Sequence, residues 1–141
     1  TNENYKLLIV GKGRLREKLD SITLDRNLEN RVKIINSISN KDIWQVYRIS
    51  SFFVNLSRNE IFGMAIMEAM YYECCVVAIK APGPQYIIEH KKSGYLCENY
   101  NEVVDCMLKA NTLLGKEAHN RIEKDFNWAK TSEIILNEIQ N

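Results

Sequence analysis

The sequence predicts an α/β fold in which a parallel sheet carries helices on both faces and is followed by a helical tail. Three observations predict it. Short apolar runs alternate with amphipathic stretches along residues 1–97. These runs lie roughly 20 residues apart, which is the spacing of right-handed βαβ units. Residues 101–141 contain no run typical of a strand, so we expect one domain over 1–141 with an α/β core over 1–97 and a helical tail over 98–141.

Five apolar runs predict the strands of the sheet. The first is nearly continuous and ends at a glycine, so we expect a strand that is buried on both faces. The predicted strands are Lys6–Val10, Val32–Ile35, Phe52–Asn55, Cys75–Ile79 and the short Gly94–Leu96.

Apolar residues at near-helical spacing predict the helices that connect these strands. The helices contain Leu15, Leu19, Ile22 and Leu24 after the first strand, Ile43, Val46 and Tyr47 after the second, and Gly63 to Tyr72 after the third, where Met64, Met67 and Met70 can face a core. We expect a loop at Pro82-Gly83-Pro84, a short helix over Tyr86–His90, and breaks of the tail near Gly115 and Asn127.

Composition narrows the functional class. The chain has 141 residues, 45% of them hydrophobic, and 19 basic against 18 acidic residues give a net charge of +1. A nucleic-acid-binding protein usually carries a basic excess, so no nucleic-acid partner is expected. No apolar run approaches the roughly 18 residues of a membrane span. The polar start at Thr1–Lys6 argues against a secretory signal.

The cysteines and histidines form no metal-binding pattern. The four cysteines contain no Cys-x-x-Cys pair, and the two histidines stand alone in polar surroundings. They are Cys74, Cys75, Cys97, Cys106, His90 and His119. We therefore expect buried, reduced thiols, surface histidines and no metal ion.

The turn Gly11-Lys12-Gly13 follows the first strand and precedes a helix. A dinucleotide-binding fingerprint needs a third glycine where Arg16 stands, and an acidic residue where Asn36 follows the second strand. A nicotinamide or flavin cofactor is therefore not expected. The turn fits a tight strand-to-helix connection, and its glycines also allow a ligand to approach the backbone.

The segment from Ser57 to Met70 holds the strongest functional signal. A strand ends, a polar loop follows, and a helix begins near Gly63. Glu68 lies within this apolar helix, where a carboxylate is costly without a partner; an Arg or Lys of the protein or a hydroxyl-bearing ligand would serve equally. The N–H groups of residues 61–64 lie at a helix N-terminus, which suits a phosphate. A nucleotide sugar has both phosphates and hydroxyls.

Glu60 and Glu68 are separated by seven residues within Ser57-x-x-Glu60-x-Phe62-Gly63-x-x-x-x-Glu68-Ala69-Met70. This block resembles the Glu-x7-Glu region of retaining nucleotide-sugar glycosyltransferases with the GT-B architecture, group 1, glycosyltransferase family 4. The resemblance extends over essentially the whole chain, since Val10-Gly11-Lys12-Gly13 looks like the family's Val-Gly-x-Gly turn and Phe126-x-Trp128 is similar to its C-terminal Phe-x-Trp. It implies that the chain is a Rossmann-like nucleotide-sugar-binding domain, the C-terminal half of a GT-B fold.

The resemblance assigns roles to individual residues. Glu60 takes the catalytic position and contacts the donor sugar, and Glu68 holds the ribose hydroxyls of the nucleotide. The remaining donor-binding positions are the amides of Phe62, Gly63 and Met64 at the diphosphate or sugar, Ile38 near the base, and Gly11 in the Val-Gly-x-Gly turn.

The sequence departs from the family pattern at several places. The Arg and Lys that neutralise the leaving diphosphate would precede Thr1, and so would the acceptor domain. We therefore expect a chain that is truncated on its N-terminal side and almost inactive alone. Glu73-Cys74-Cys75 replaces the family's Gly-x-Pro stretch, and Gln85-Tyr86 stands where a glutamate is usual, so this loop lacks the family's carboxylate.

The implied reaction moves a sugar, of the hexosyl type, from a nucleoside diphosphate sugar to an acceptor hydroxyl with retention. Its barrier falls mainly through charge stabilisation of the leaving diphosphate, and no metal is needed. The resemblance also implies polysaccharide or glycoconjugate biosynthesis, with an acceptor glycan or lipid-linked glycan bound through the N-terminal domain. It implies a cytoplasmic protein, with a peripheral position at the inner membrane face as an option.

Three alternatives stay open. They are a nucleotide-sugar epimerase of the same architecture, a non-catalytic Rossmann-like regulatory or interaction module, and a regulatory subunit that keeps a nucleotide pocket. A receiver-type module is disfavoured because it needs an acidic cluster where Gly11-Lys12-Gly13 stands. We also expect Ile134, Ile135 and Ile139 to be exposed in this chain, which would favour its self-association.

Overall fold

The computed structural model describes residues 5–109 and 111–139, and the chain divides into two compact units, Thr1–Ile43 and Trp44–Asn141. The strands are β1 (Leu7–Val10), β2 (Val32–Ile35), β3 (Phe52–Asn55), β4 (Cys75–Ile79) and β5 (Tyr95–Cys97). The helices are α1 (Arg16–Asp25), α2 (Ile43–Ile49), α3 (Met64–Tyr71), α4 (Pro82–Ile87), α5 (Tyr100–Lys109), α6 (Thr112–Asp125) and α7 (Trp128–Ile139). All five predicted strands are present, and β2, β3 and β4 have the predicted bounds.

In the first unit, β1 and β2 form a two-stranded parallel sheet in which Leu7 pairs with Val32 and Val10 with Ile35. The prediction that the first strand is buried on both faces is wrong, because Leu7 is 51% and Val10 is 40% exposed. No residue described between positions 5 and 43 is buried. Among the described residues of this unit, β2 and α1 are the elements available to cover β1.

In the second unit, β4 is the central strand of a parallel sheet with the order β3-β4-β5. All five residues of β4 are buried, and α3, α5 and α6 pack against the strand. A parallel strand with covered faces has a continuous apolar sequence, as Cys75–Ile79 does. The predicted class, a parallel α/β fold with a helical C-terminal tail, is confirmed.

The short helix predicted over Tyr86–His90 lies elsewhere. α4 begins at Pro82, so the predicted loop at Pro82-Gly83-Pro84 forms its first turn. Proline is well tolerated at the first helical position, where a backbone N–H has no partner within the helix. His90 lies beyond the helix and forms an isolated bridge with Gly94, just before β5.

The tail breaks at one of its two predicted places. α6 ends at Asp125 and α7 begins at Trp128, which confirms the break near Asn127. The break predicted near Gly115 is wrong, because Gly115 lies inside α6. A Cβ atom at this glycine would lie 2.0 Å from the carbonyl oxygen of Glu73. The glycine therefore allows α6 to approach the backbone between α3 and β4.

α7 presents Ile134, Ile135 and Ile139 to solvent, with 53%, 52% and 76% of each residue exposed. This exposure was expected, and the self-association that it would favour stays a prediction. The single domain expected over 1–141 also stays a prediction. In residues 5–109 and 111–139, no helix has the length and apolar character to cross a membrane.

The four cysteines are free thiols. Cys74, Cys75 and Cys97 are buried, whereas Cys106 is half-buried. Burial raises the pKa of Cys74 to about 12 and that of Cys75 to about 11. The expectation of buried, reduced thiols is confirmed for three of the four.

Candidate functional site

Helix α3 has a buried face and an exposed face. Ile66, Ala69 and Met70 are buried, and α3 packs against α6, β3 and β4. Met64 and Glu68 are both exposed and lie four residues apart, so their side chains are neighbours on the outer face. The expectation that Met64 can face a core is wrong, since 56% of this residue is exposed. The outer face of α3 is thus available to a ligand.

The N-terminus of α3 carries free backbone donors. Gly63 is the N-cap residue and has a left-handed backbone with φ of 90°, which glycine adopts without strain. Its carbonyl accepts the N–H groups of Ile66 and Met67. No hydrogen bond within the described residues uses the N–H groups of Met64 and Ala65. These donors, together with the positive end of the helix dipole, suit an anion.

The carboxylate of Glu68 has a hydrogen-bond partner within the protein, and this partner is a tyrosine. The hydroxyl of Tyr47, on α2, donates a hydrogen bond to Oε2 of Glu68 at 3.1 Å. The partner within the protein is therefore a tyrosine, not the Arg or Lys considered from the sequence, and Glu68 itself is exposed. Burial, followed by the negative charge of Glu68, raises the pKa of Tyr47. The hydroxyl thus remains a donor to the carboxylate.

Glu60 is held by the last residue of β3. Nδ2 of Asn55 donates to Oε2 of Glu60 at 3.3 Å, while Oδ1 of Asn55 accepts the N–H of Ser57 at 2.8 Å. One amide therefore shapes the start of the loop and orients the carboxylate that follows it. Glu60 is half-buried, so its carboxylate is restrained but still reaches solvent.

The loop that carries Glu60 rests on the first turn of α4. The N–H of Gly83 donates to the carbonyl of Glu60 at 3.0 Å. A Cβ atom on Gly83 would lie 2.7 Å from the carbonyl oxygen of Phe62, so any larger residue would push the two segments apart. The close approach of α4 places Glu60, Phe62 and Gly63 on a supported backbone.

Two basic side chains lie on loops at the same carboxyl edge of this sheet. The guanidinium of Arg58 lies 5.0 Å from the ring centroid of Tyr100, a cation–π contact. Lys80, which follows β4, forms an ion pair with Glu98, which follows β5. Parallel sheets bind ligands at this edge, so both cations are near the loops where a charged ligand is expected.

The remaining predicted residues belong to the first unit. Gly11 lines a recess of about 210 Å³ together with Lys12, Gly13 and Arg16. Ile38 is half-buried in the loop after β2. The second unit brings together Glu60, Phe62, Gly63, Met64 and Glu68 on one loop and helix. That Gly11 and Ile38 join them around one ligand stays a prediction.

Sequence reasoning missed Tyr47 and Asn55 as site residues. Tyr47 has the helical spacing of a core residue, and Asn55 is simply the polar end of an apolar strand. A polar residue at the carboxyl end of a parallel strand is a usable signal for Asn55, whereas nothing in the pattern marks Tyr47. In the described parts of the chain, no group of three His, Cys, Asp or Glu side chains could hold a metal ion.

A parallel sheet with polar loops and an open helix N-terminus at its carboxyl edge is typical of α/β proteins that bind phosphorylated ligands. The chain matches the family model of glycosyl transferases group 1 over residues 1–128. It therefore belongs to the glycosyl transferases group 1 family.

Individual relatives agree with this assignment. The chain is similar to an uncharacterized glycosyltransferase of Haemophilus influenzae, with 31% identity over 112 residues, which are 79% of this chain and 31% of the relative. It is similar to alpha-1,3/1,6-mannosyltransferase ALG2 of Homo sapiens, with 26% identity over 117 residues, 78% of this chain and 28% of the relative.

Solved structures agree as well. A mutant of S. aureus TarM in complex with Fondaparinux, alpha-GlcNAc-glycerol and UDP matches with a TM-score of 0.82 and 29% identity, over 94% of this chain and 28% of that chain. These matches confirm the Rossmann-like, GT-B-type fold that the resemblance implies. The chain spans only 28–31% of the length of the three proteins.

Proposed function

We propose that the chain is the donor-binding part of a retaining glycosyltransferase of family 4. In this proposal the enzyme moves a hexosyl group from a nucleoside diphosphate sugar to a hydroxyl of a glycan or lipid-linked glycan, with retention at the anomeric carbon. One observation carries the proposal: α3 combines an exposed, oriented carboxylate with free N–H groups at its N-terminus. A nucleoside diphosphate offers the complementary groups, which are hydroxyls and a diphosphate.

The proposed roles follow from the chemistry of these groups. The carboxylate of Glu68 accepts hydrogen bonds from the two ribose hydroxyls, because an ionised carboxylate is purely an acceptor. The N–H groups of Phe62, Gly63 and Met64 face the diphosphate or the sugar. Glu60, restrained by Asn55, contacts the donor sugar as the catalytic residue. For the first unit, the resemblance assigns Ile38 to the base and Gly11 to the nucleotide.

Relatives support the same substrate class. The TarM complex contains UDP, and the human relative is named as a mannosyltransferase. We further propose that the donor binds without a metal ion, with the charge of the diphosphate offset by backbone N–H groups and basic side chains.

The proposal is tested by ligand-observed NMR titration of the chain with UDP, GDP and ADP. One diphosphate is expected to bind, and Glu68→Ala is expected to weaken its binding about tenfold or more. The expected size follows from hydrogen bonds to a charged group, which contribute about 1.5–3 kcal/mol each. Addition of a chelator is expected to leave the dissociation constant unchanged.

Glu117→Ala is the matched control, because Glu117 is an exposed glutamate on α6, away from α3 in sequence. It removes the same charge and should leave the affinity as in the wild-type chain. Absence of binding by all three diphosphates, or an equal loss in both variants, would count against the donor site proposed here.

A further inference from the structure

Tyr47 is a buried tyrosine whose ring is fixed on two sides. Only 7% of the residue is exposed. Its ring stacks on Tyr72, with a centroid distance of 6.2 Å and an interplanar angle of 14°, and forms a T-shaped contact with Phe53 at a centroid distance of 5.8 Å. Such a ring has little freedom to move, so its hydroxyl is a donor at a defined point in space.

That hydroxyl contacts one oxygen of an exposed side chain. It donates to Oε2 of Glu68 at 3.1 Å, across 21 residues of sequence. A glutamate on the outer face of a helix ordinarily samples several rotamers. Here one carboxylate oxygen is tied to a rigid donor, whereas no hydrogen bond or ion pair within the described residues holds Oε1. The carboxylate therefore points in one direction before any ligand arrives.

We propose that Tyr47 is a positioning residue that orients the carboxylate of Glu68 toward the hydroxyls of a nucleoside diphosphate. The inference rests on the function proposed above, because it assigns Glu68 a ligand. Preorganisation of this kind improves affinity by removing the cost of ordering the side chain on binding. It also predicts a specific selectivity, since a ligand that lacks one of the two ribose hydroxyls cannot use an oriented carboxylate fully.

The experiment compares UDP with 2′-deoxy-UDP, or the corresponding pair for whichever of GDP and ADP binds. Tyr47→Phe keeps the ring and removes the hydroxyl. We expect it to weaken binding of the ribonucleotide about fivefold, the size expected for one hydrogen bond, and to lower the preference for the ribonucleotide over its deoxy form. Tyr72→Phe is the control, because it removes a hydroxyl from the adjacent stacked ring and leaves the bond to Glu68 in place.

A double-mutant cycle separates a positioning role of Tyr47 from a general effect of the substitution on stability. In a Glu68→Ala background, Tyr47→Phe is expected to have no further effect on either affinity. The ratio of the two affinities is measured on one sample, so partial unfolding of a variant alters both alike and leaves the ratio unchanged.

The outcomes are distinct for the two proposals. If the wild-type chain binds the diphosphate through Glu68 and Tyr47→Phe keeps the wild-type ratio, the positioning role is wrong and the donor site stands. The positioning role is also wrong if Tyr47→Phe lowers this ratio in the Glu68→Ala background by as much as it does in the wild-type chain. If the wild-type chain binds no diphosphate, the proposed function fails and this inference fails with it.

Discussion

Strands β1 and β4 are both short apolar runs, yet they have opposite surroundings. Leu7, Leu8 and Val10 of β1 are 51%, 37% and 40% exposed. Val76, Val77, Ala78 and Ile79 of β4 are 0% exposed. β4 has a strand on each side and three helices packed on it, whereas β1 has β2 as its partner in a two-stranded sheet. An apolar run therefore predicts a strand, but its burial depends on the elements that cover it.

The glycines of the two units differ in the same way. A Cβ atom on Gly115, in the second unit, would overlap the carbonyl oxygen of Glu73. A Cβ atom on Gly13, in the first unit, would meet no atom within 4 Å. Close packing of backbone on backbone is thus a property of the second unit, and substitutions at matched positions can test how far the difference extends.

The largest expected effect is that of Gly115→Ala. Alanine is the better helix former by about 1 kcal/mol, but its methyl group cannot fit 2.0 Å from a carbonyl oxygen, so α6 must shift. We expect a net loss of about 3 kcal/mol in the free energy of unfolding, at the upper end of overpacking effects. Urea denaturation measures it, and Gly13→Ala, expected within about 0.5 kcal/mol of the wild type, is the control.

If the two glycine variants had similar unfolding free energies, α6 would not approach Glu73 as closely as described. The difference in packing between the two units would then be supported only by the burial of their strands.

Removal of two methyl groups from each strand directly tests the difference in burial between β1 and β4. Val77→Ala leaves a cavity in the covered strand β4, and we expect it to lower the free energy of unfolding by about 2 kcal/mol. Val10→Ala removes the same groups from β1, where 40% of the residue is already exposed, and we expect less than about 1 kcal/mol. Equal losses of unfolding free energy would mean that β1 is buried to the same extent as β4 when the chain folds in solution.

Much of the fold could be predicted because its signals are local. The strands β2, β3 and β4 have their predicted bounds, since β2 lies between Arg31 and Asn36, β3 follows two serines and β4 ends before Lys80. Gly115 misled the prediction because a glycine in a helix can mark either a break or a close approach. Which of the two applies depends on Glu73, 42 positions earlier in the chain.

The candidate site was predictable to the same extent. Glu60, Gly63 and Glu68 lie in one segment whose spacing is visible in the sequence. The partner of Glu68 was not predictable, because Tyr47 comes from another helix and its spacing is that of an ordinary core residue. The prediction that β1 is buried failed for a similar reason. The burial of a strand depends on the elements that cover it, and an apolar run does not identify those elements.

The smallest expected effect concerns His90 and the edge strand β5. Nδ1 of His90 accepts the N–H of Leu96 at 3.0 Å, which requires this nitrogen to be unprotonated. Burial, followed by the charges of Lys91 and Lys80, lowers the pKa of His90 from its usual 6.5. A lowered folded-state pKa stabilises the fold above the unfolded-state value, and this contribution is lost as the pH falls through the folded-state value.

Both histidines of the chain, His90 and His119, lie in the second unit. Protonation of His90 should therefore lower the stability of the second unit as the pH falls below about 6.5, whereas the first unit contains no histidine. Urea titrations followed by NMR signals from each unit measure the two responses separately. A fall of equal size in both units would contradict this expectation.

His90→Asn identifies the group responsible. Its side-chain carbonyl can accept the N–H of Leu96 without titrating, so the acid sensitivity of the second unit should shrink. His119→Gln is the comparison variant; it keeps His90 and its bond to Leu96, so the acid-dependent loss that comes from this bond should persist. If His90→Asn keeps the full acid sensitivity, the bond to Leu96 does not stabilise the start of β5. The difference between the two units then depends only on how well their strands are covered.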